Sequence, residues 1–267
     1  MPELPDVEIA RRGLQRRLKG ARITDARLED AYIARPTAPK TFAATLRGRI
    51  VAAIERRGKW LKLVFDDGGL LFSHLGMTGS WVYVAVSAPA ARFERARIDF
   101  TKNGRAASAR YVDSRRFGRL VATKRDLPEW TELGPDPLDD GIDVDALGET
   151  LAAGRRSVKE ILMDQTVLAG VGNILATEAL WLARVDPRAK GNTITAAQVR
   201  GITRALKKTI EEEIAERTSR TYAEGGGTFH VYGRAGEPCP RDGTTIESVT
   251  LGGRTTAFCP HCQGDGG

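Results

Sequence analysis

The sequence predicts an α+β fold in two parts: antiparallel β-structure behind an N-terminal helix, and then a helical part with a small tail. Residues 3–18 place apolar side chains at helical spacing, whereas residues 22–124 alternate apolar and polar side chains in short segments. Helical spacing returns over residues 144–216, and three cysteines follow near the end. The 267 residues are enough for two modest domains with cores of their own.

The first helix is predicted over Glu3–Leu18, with Val7, Leu14 and Leu18 on one side. The segments that follow are rich in β-branched, leucine and aromatic residues, and Gly, Asp and Asn turn signals separate them. Examples are Arg49–Ile54, Trp60–Phe65, Leu70–His74, Ser80–Val84, Ala96–Phe100 and Arg119–Ala122. We expect them to form an antiparallel sandwich or a barrel.

Two prolines and a glycine in residues 132–138 predict a linker between domains. Thr195 is a reasonable N-cap for the last long helix, and the Gly-rich residues 225–227 should end it. The predicted helices are Val144–Leu151, Val158–Asp164, Asn173–Ala183 and Ala196–Glu216. We therefore expect domains over residues 1–125, 142–228 and 229–267, with residues 126–141 as the linker.

The charge balance favours a polyanionic partner. The chain has 41 Lys and Arg against 34 Asp and Glu, a net charge of +7, and basic side chains release counterions when they bind phosphates. Charge alone does not decide this, because many basic proteins bind no nucleic acid.

No apolar run approaches the roughly 18 residues of a membrane span, and the N-terminus lacks a signal peptide's apolar region. We expect a monomer in the cytoplasm, associated with the nucleoid.

The last 29 residues contain all three cysteines, an odd number whose clustering favours a metal over disulfides. Cys239 and Asp242 form one pair with two residues between them, and Cys259 and Cys262 form a second. Two such turns facing each other can hold one structural zinc ion per chain in a tetrahedron, with the carboxylate as fourth ligand. His261 should point away from the ion. The alternative is a metal-free hairpin in which Cys259 and Cys262 are small buried residues.

Several motifs, in order along the chain, resemble the formamidopyrimidine-DNA glycosylase and endonuclease VIII family of bifunctional DNA glycosylases. They are PELPDVE at 2–8, GKWL at 58–61, HLGMTGS at 74–80, DSRRFG at 113–118, LMDQ at 162–165, GVGNI at 170–174, VYGR at 231–234 and GR at 253–254. The resemblance implies a β-sandwich, a helix–two-turn–helix domain and a β-hairpin zinc finger. It also implies a base-excision repair enzyme that removes oxidised or ring-opened bases from double-stranded DNA and cleaves the strand, also at abasic sites, by β,δ-elimination.

The resemblance assigns catalytic roles to Pro2, Glu3, Lys59 and Arg254. The amine of Pro2 would attack the sugar and form a Schiff base once Met1 is removed; a retained Met1 would leave an amide and no nucleophile. An α-amine suits this role because its reference pKa is about 7.7–8, so much of it is neutral near pH 7. The alternative for Pro2 is a plain first-turn helix residue.

Glu3 would be the general acid that protonates the sugar oxygen; the alternative is an acid complementing the positive end of the first helix. Lys59 would contact the phosphate region and transfer a proton in β-elimination, and otherwise would be a surface lysine without a role. Arg254 would grip the flanking phosphates with its planar fork and assist δ-elimination.

An enzyme that extrudes a nucleotide must fill the gap it leaves. By resemblance Met77, Arg115 and Phe117 fill it, although Met77 and Phe117 could instead be sandwich core. Four further residues are candidate phosphate contacts: His74, Arg116, Lys159 and Asn173. Asn173 opens a helix whose free backbone amides should favour an anion, and Lys159 could instead be merely solvated.

The chain departs from the family pattern where lesions are read. Residues 220–230 are shorter and richer in glycine than the 8-oxoguanine-capping loop, and Leu175 replaces a tyrosine. Arg95 and Arg97 fall where histidines are common, and Asp6 replaces a glutamate. Formamidopyrimidines, hydantoins and oxidised pyrimidines therefore all remain open as substrates, and a preference for 8-oxoguanine is not expected.

Two other functions compete with this one. A non-catalytic protein that binds damaged DNA would share the fold but form no trapped covalent adduct. A zinc-ribbon accessory protein of transcription or translation would explain the tail and the charge but leaves the first 125 residues unexplained.

Overall fold

Helix α1 spans Leu4–Leu18, within one residue of the prediction. The computed structural model describes residues 2–219 and 229–264. Packing divides it into two units, the first comprising Pro2 and Asp6–Thr131, the second Glu3–Pro5 and the chain from Glu132 onward. The predicted glycine stop at residues 225–227 lies outside the described residues.

The first unit contains two antiparallel four-stranded sheets. One has the order β1 (Arg22–Leu28), β6 (Glu94–Lys102), β7 (Arg105–Val112), β5 (Ser80–Val84). The other has the order β2 (Val51–Arg57), β3 (Trp60–Phe65), β4 (Leu70–His74), β8 (Arg119–Thr123). One hydrophobic cluster includes Leu63 and Phe65 of the second sheet, Ile98 and Tyr111 of the first, and Leu14 of α1. Of the two architectures that the sequence left open, the sandwich is therefore confirmed.

This unit also contains short elements that the sequence pattern did not predict. A 3₁₀ turn over Ala31–Ala34 and helix α2 (Pro39–Leu46) lie between the first two strands. Proline at the first turn of α2 suits a helix start, and Phe42 and Leu46 are buried in the sandwich core. A one-turn helix, α3 (Pro128–Thr131), ends the unit.

The second unit is helical, and its helices begin where the sequence predicts. They are α4 (Val144–Ala153), α5 (Val158–Leu162), α6 (Asn173–Leu182) and α7 (Ala196–Ser219). Ser157 and Glu160 form a capping box at α5, and Thr195 accepts the backbone N–H of Gln198 at the start of α7. The predicted N-cap of α7 is thus confirmed. Leu151, Ile161 and Leu206 belong to the common core of these helices.

The tail is a hairpin of β9 (Glu247–Leu251) and β10 (Arg254–Phe258). Gly252 and Gly253 connect the strands with φ values of 53° and 71°, which glycine adopts without the steric cost of a side chain. Trp181, Val231 and Ile246 form a small cluster with the three cysteines. Within residues 2–219 and 229–264, no helix has both the length and the apolar character needed to cross a membrane.

Candidate functional site

The start of the chain is fixed by three hydrogen bonds to the beginning of α6 and the loop that precedes it. Glu3 is only 2% exposed, and its carboxylate accepts the backbone N–H groups of Ile174 at 2.9 Å and Leu175 at 3.0 Å. Leu4 is buried and donates its N–H to the carbonyl of Gly170 at 3.2 Å. A terminus usually frays. Here the residue after Pro2 is anchored, and Pro2 itself is half-buried immediately before α1.

Gly172 makes this approach possible. A Cβ at this position would lie 2.3 Å from Cδ of Glu3 and 2.4 Å from its Oε1. Gly172 is the N-cap residue of α6 and supplies no side-chain cap, so the carboxylate of Glu3 provides the cap from elsewhere in the chain.

These contacts correct two expectations. The helix whose amides Glu3 binds is α6, whereas the sequence offered α1. The amides that open α6 were also expected to be free for an external anion, and those of Ile174 and Leu175 instead bind the chain's own carboxylate. This follows from the same physics, since a helix N-terminus favours any negative charge that can reach it.

Lys159 is fully buried in the second unit. Its Nζ donates to Oδ1 of Asn173 and, at 2.5 Å, to Oγ1 of Thr256, while Nδ2 of Asn173 donates to the carbonyl of Thr255 at 3.1 Å. The alternative of a merely solvated lysine is therefore wrong. Burial, opposed by the charge of Glu3 and reinforced by that of Arg254, lowers the pKa of Lys159 to about 8.

Arg254 begins β10 and is exposed. Thr255 and Thr256 follow it, so the network of Lys159 and Asn173 holds the strand directly beside this guanidinium. The second unit thus brings together Glu3, Lys159 and Asn173 with the strand that presents Arg254.

In the first unit, the loop of residues 75–79 presents Met77, and the loop of residues 113–118 presents Arg115 and Phe117, the residues expected to fill the gap. Met77 is 36% exposed and Phe117 is 55% exposed, so the alternative that they are sandwich core is wrong. The guanidinium of Arg115 lies 4.9 Å from the centre of the Phe117 ring. A large exposed apolar side chain that stacks with an arginine is suited to a partner with flat, polar-edged surfaces.

The two loops are held together by close backbone packing. Gly76 has a φ of +62°, and a Cβ there would lie 2.4 Å from the carbonyl oxygen of Phe117. Asp113 accepts the N–H of Gly118 at 2.7 Å and bonds the hydroxyl of Thr78 in the other loop. These contacts fix the backbone that carries Met77 and Phe117.

His74 ends β4 and is neutral at pH 7. Burial, together with the nearby charges of Lys59 and Arg119, lowers its pKa to about 4. Its Nδ1 accepts the N–H of Gly76 at 3.0 Å, so the proton of the neutral ring lies on Nε2. Lys59 lies in the turn that enters β3, as predicted, and close enough to His74 to affect its titration.

Arg116 has a φ of +61° and pairs with Asp30 at 2.7 Å, and its guanidinium lies 4.8 Å from the centre of the Tyr32 ring. Sequence reasoning missed Asp30 and Tyr32, which belong to no recognisable motif. It also missed Phe93, an exposed aromatic residue with a φ of 62°.

The two arginines at positions where histidines are common have structural partners. Arg95 donates to the carbonyl of Asp113 at 2.8 Å and so supports the Phe117 loop. Arg97 pairs with Asp99 at 2.7 Å within β6.

The four tail residues predicted to bind metal are gathered in one place. The ligand atoms of Cys239, Asp242, Cys259 and Cys262 all lie within 4.8 Å of one another. A zinc–sulfur bond of about 2.3 Å in a tetrahedron requires sulfur atoms about 3.8 Å apart, and sulfur and oxygen about 3.5 Å apart. Sγ of Cys239 lies 4.0 Å from Sγ of Cys262, and Sγ of Cys259 lies 3.5 Å from Oδ2 of Asp242.

The cluster therefore fits a four-coordinate ion with one oxygen ligand. His261 lies outside it, as expected, but its Nδ1 is 3.2 Å from Oδ2 of Asp242, where it can orient the carboxylate.

Comparison with known proteins explains why these residues occur together. Residues 1–120 match the formamidopyrimidine-DNA glycosylase N-terminal domain, residues 133–223 match the H2TH domain of the same enzyme, and residues 236–264 match a zinc finger found in FPG and IleRS. The chain belongs to the formamidopyrimidine-DNA glycosylase family. The resemblance drawn from the sequence motifs is thus confirmed.

Individual members of the family match over nearly the full length. A formamidopyrimidine-DNA glycosylase of Chloroflexus aurantiacus is 39% identical, with 98% of both chains covered. The structure of Lactococcus lactis Fpg with abasic-site DNA superimposes with a TM-score of 0.87 at 30% identity, and that of the same protein with Fapy-dG DNA with a TM-score of 0.88 at 30% identity. Each covers 98% of this chain and 99% of the Lactococcus chain.

Proposed function

We propose that this chain is a base-excision repair DNA glycosylase that also cleaves the DNA strand as an abasic-site lyase. Membership of the formamidopyrimidine-DNA glycosylase family makes it a DNA glycosylase; the lyase step is the finer part of the proposal. The observation that carries it is the anchoring of Glu3 on the start of α6, because this fixes a carboxylate beside the residue whose amine would react.

The chemistry follows from one covalent bond. The neutral amine of Pro2, exposed after removal of Met1, attacks C1′ of the deoxyribose, and the base leaves with the bonding electrons. The Pro2 nitrogen then gives up its proton to Glu3, which passes it to the ring oxygen as the C1′–O4′ bond breaks, and the nitrogen lone pair forms an iminium between Pro2 and C1′. The iminium withdraws electrons and acidifies C2′, so loss of a C2′ proton expels the 3′ phosphate. A second elimination expels the 5′ phosphate, and hydrolysis of the iminium frees Pro2.

The remaining cations would hold the phosphates. Lys59 lies at the head of β3, where we assign it phosphate contact and proton transfer during the first elimination. Arg254 would bind the phosphates flanking the lesion and assist the second elimination. His74 would donate from Nε2 as a neutral ring, because its pKa of about 4 leaves it uncharged.

We further propose that Met77, Arg115 and Phe117 occupy the space left by the flipped nucleotide. Arg116 and Asn173 would contact DNA phosphates. Lys159, which is buried, would contribute indirectly by fixing Asn173. Exposure of Met77 and Phe117 on rigidly based loops supports the wedge assignment.

The lesion class proposed is ring-opened and oxidised bases, without preference for 8-oxoguanine. Leu175 is 1% exposed and belongs to the helical core, so it offers no surface to a base. Most of the shortened loop, residues 220–228 of 220–230, lies outside the described residues.

The tail is proposed to hold one structural zinc ion, with Cys239, Asp242, Cys259 and Cys262 as ligands. A bound ion would fold a segment that has little apolar area of its own and would thereby position Arg254. Metal content by mass spectrometry should give one zinc per chain, and Asp242→Cys should retain it, whereas Asp242→Ala should bind it more weakly. Full zinc retention in Asp242→Ala would contradict the oxygen ligand.

Borohydride trapping tests the function directly. Duplexes carrying an abasic site, a formamidopyrimidine, 5-hydroxyuracil or 8-oxoguanine are incubated with the wild type, Pro2→Gly and Glu3→Gln. We expect a trapped adduct on the abasic duplex with the wild type and on damaged duplexes only where the base is excised. Peptide mapping should place the adduct on Pro2. The absence of any adduct would favour a non-catalytic DNA-binding protein, and an adduct on a lysine would refute the assigned nucleophile.

We also propose that the protein acts as a monomer on the cytoplasmic nucleoid. Sedimentation of the protein with and without an abasic-site duplex should give masses of one chain and of one chain per duplex.

A further inference from the structure

A basic groove lies on the first unit, at the end of β7 opposite to the loop of Arg115 and Phe117. It has a volume of about 870 Å³ between the end of α1, the end of β5 and the turn that joins β6 to β7. Arg16 and Arg17 come from α1, Lys102 from β6, and Arg105 from β7. These four cations and the residues between them are defined here as the basic groove.

No acidic side chain of the described residues neutralises the basic groove; Nζ of Lys102 donates to the carbonyl of Arg16 at 3.0 Å, a partner without formal charge. Its lining includes no Asp or Glu, and none of its four cations forms an ion pair with any carboxylate of residues 2–219 and 229–264. Elsewhere in the same unit exposed arginines do form such pairs, as Arg27 does with Asp25. Four cations without an acidic partner around one depression repel one another, so an anionic ligand would be stabilised there.

The floor of the basic groove is apolar and aromatic. Val84 and Tyr83, both partly exposed, line it together with the buried Phe100, and the guanidinium of Arg17 lies 4.2 Å from the centre of the Tyr83 ring. A ligand with only phosphate groups would gain nothing from such a floor. A ligand that combines carboxylates with apolar side chains would use both features.

One edge of the floor is also open to pairing. Strand β5 pairs with Ser108–Val112 of β7 and ends at Val84, so Arg105, Ala106 and Ala107 extend beyond it. An exposed strand edge is a ready template for an extended peptide, whose alternate side chains would point to the floor and to the cations.

The position of the groove separates it from the damaged-base machinery. Arg105 begins β7, and the loop of Arg115 and Phe117 follows the other end of the same strand. Seven residue steps at about 3.4 Å place the two ends roughly 24 Å apart. We propose that the basic groove binds an extended acidic peptide, with interspersed apolar residues, from a partner protein. This goes beyond the proposed repair activity and does not depend on it.

The test uses a fluorescein-labelled peptide of about ten residues that alternates Asp and Leu, and a matched peptide with Asn in place of Asp. Fluorescence anisotropy of the full chain is measured for the wild type and for Arg16→Ala/Arg105→Ala. The control is Lys40→Ala/Lys124→Ala, which removes two exposed charges elsewhere in the same unit. We expect the double groove variant to bind the Asp peptide about five-fold more weakly, the size expected for two exposed charge pairs. The control should bind as the wild type does.

Three results would overturn the proposal: equal binding of the Asn peptide, equal weakening in the control variant, and no weakening in the groove variant. A fourth is displacement of the peptide by an undamaged duplex, together with weaker duplex binding by the groove variant, because the groove would then be a DNA surface. Cleavage of an abasic-site duplex serves as an independent readout and should be unchanged in both double variants.

Discussion

Replacing Gly172 by alanine tests the anchoring of Glu3 without altering any side chain assigned to catalysis. Gly172 has φ −126° and ψ −162°, an extended conformation that alanine adopts freely, so the backbone itself should tolerate the change. The added Cβ would lie 2.3 Å from Cδ of Glu3, well inside the usual carbon–carbon contact of about 3.5 Å. The carboxylate must therefore retreat by about 1 Å.

The effect on stability can be estimated from the two hydrogen bonds that would lengthen. Each joins a backbone N–H of α6 to a carboxylate, and hydrogen bonds to charged groups contribute about 1.5–3 kcal/mol each. Since a displaced carboxylate keeps part of this interaction, we expect the free energy of unfolding to fall by about 2–4 kcal/mol. A 1 Å misplacement of a reacting group can cost about 10²-fold in rate, and we expect a loss of that order in strand cleavage.

The assay is single-turnover cleavage of an abasic-site duplex at a temperature where the variant is fully folded, with unfolding followed in urea. Gly148→Ala is the matched control, because a Cβ on that residue of α4 meets nothing within 4 Å. Alanine in a helix interior should leave cleavage unchanged and stabilise the chain by about 0.5–1 kcal/mol. Cleavage within two-fold of the wild type by Gly172→Ala would show that the position of Glu3 does not matter and would refute this reasoning.

Three further predictions rest on single residues. Phe117→Ala should leave the free energy of unfolding within about 0.5 kcal/mol of the wild type, because the ring is 55% exposed, while base excision from a damaged duplex weakens. A fall in the free energy of unfolding as large as that for a buried core residue, measured in urea, would contradict this. Burial alone would raise the pKa of Glu8, but hydrogen bonds from Arg11 and Arg12 lower it to about 2. Because the folded pKa is depressed, this stabilisation is complete above pH 4.5 and lost towards pH 2, and Glu8→Gln should remove about 3 kcal/mol of that pH dependence in urea titrations. The pKa of Lys159 is about 8 when folded, so the unfolded chain binds its proton more tightly. The free energy of unfolding should therefore rise by about 3 kcal/mol between pH 8 and pH 10.5, and this rise should be absent in Lys159→Met.

Local pattern was sufficient for strands that a glycine introduces. Trp60–Phe65, Leu70–His74 and Ser80–Val84 were predicted with their observed bounds, because each is rich in apolar residues and begins within two residues of a glycine. Strand β7 was missed because its first half, Arg105–Ser108, has no large apolar residue, and only pairing with β6 and β5 defines it. Helix α2 is too short for a periodic signal, and burial of Phe42 stabilises it instead.

In the candidate site, too, the sequence predicted part of what the structure shows. Motifs identified Glu3, Lys159 and Asn173 as residues of interest, but not what each one contacts. Glu3 binds an amide 171 residues away, and Lys159 binds Thr256 across 97 residues. Such contacts arise only when the core of the second unit has packed, so neither periodicity nor spacing could have predicted them. The exposure of Met77 and Phe117 was likewise undecided in the sequence, since an apolar residue in a glycine-flanked loop can face either way.

Helix α6 shows why so much of the second unit depends on distant partners. Its residues are buried on nearly every side, which leaves its polar groups without water. Glu3 satisfies the first amides, and Arg241 donates to the carbonyls of Trp181 at 2.5 Å and Leu182 at 3.1 Å at the other end. In the middle, Glu178 accepts three consecutive backbone N–H groups at the start of the VYGR motif, at 2.8–3.0 Å.

The partners of α6 come from three different parts of the chain. Glu3 belongs to the N-terminus, Arg241 to the zinc-finger tail, and the amides that Glu178 binds to the segment before that tail. A buried helix with both ends capped from outside cannot be formed locally, because its orphan groups would cost more than its own hydrogen bonds contribute. The anchored N-terminus and the tail are therefore conditions for α6 to be buried at all. For this reason a change at Glu3 or Arg241 should alter the stability of the whole second unit together with the activity of the enzyme.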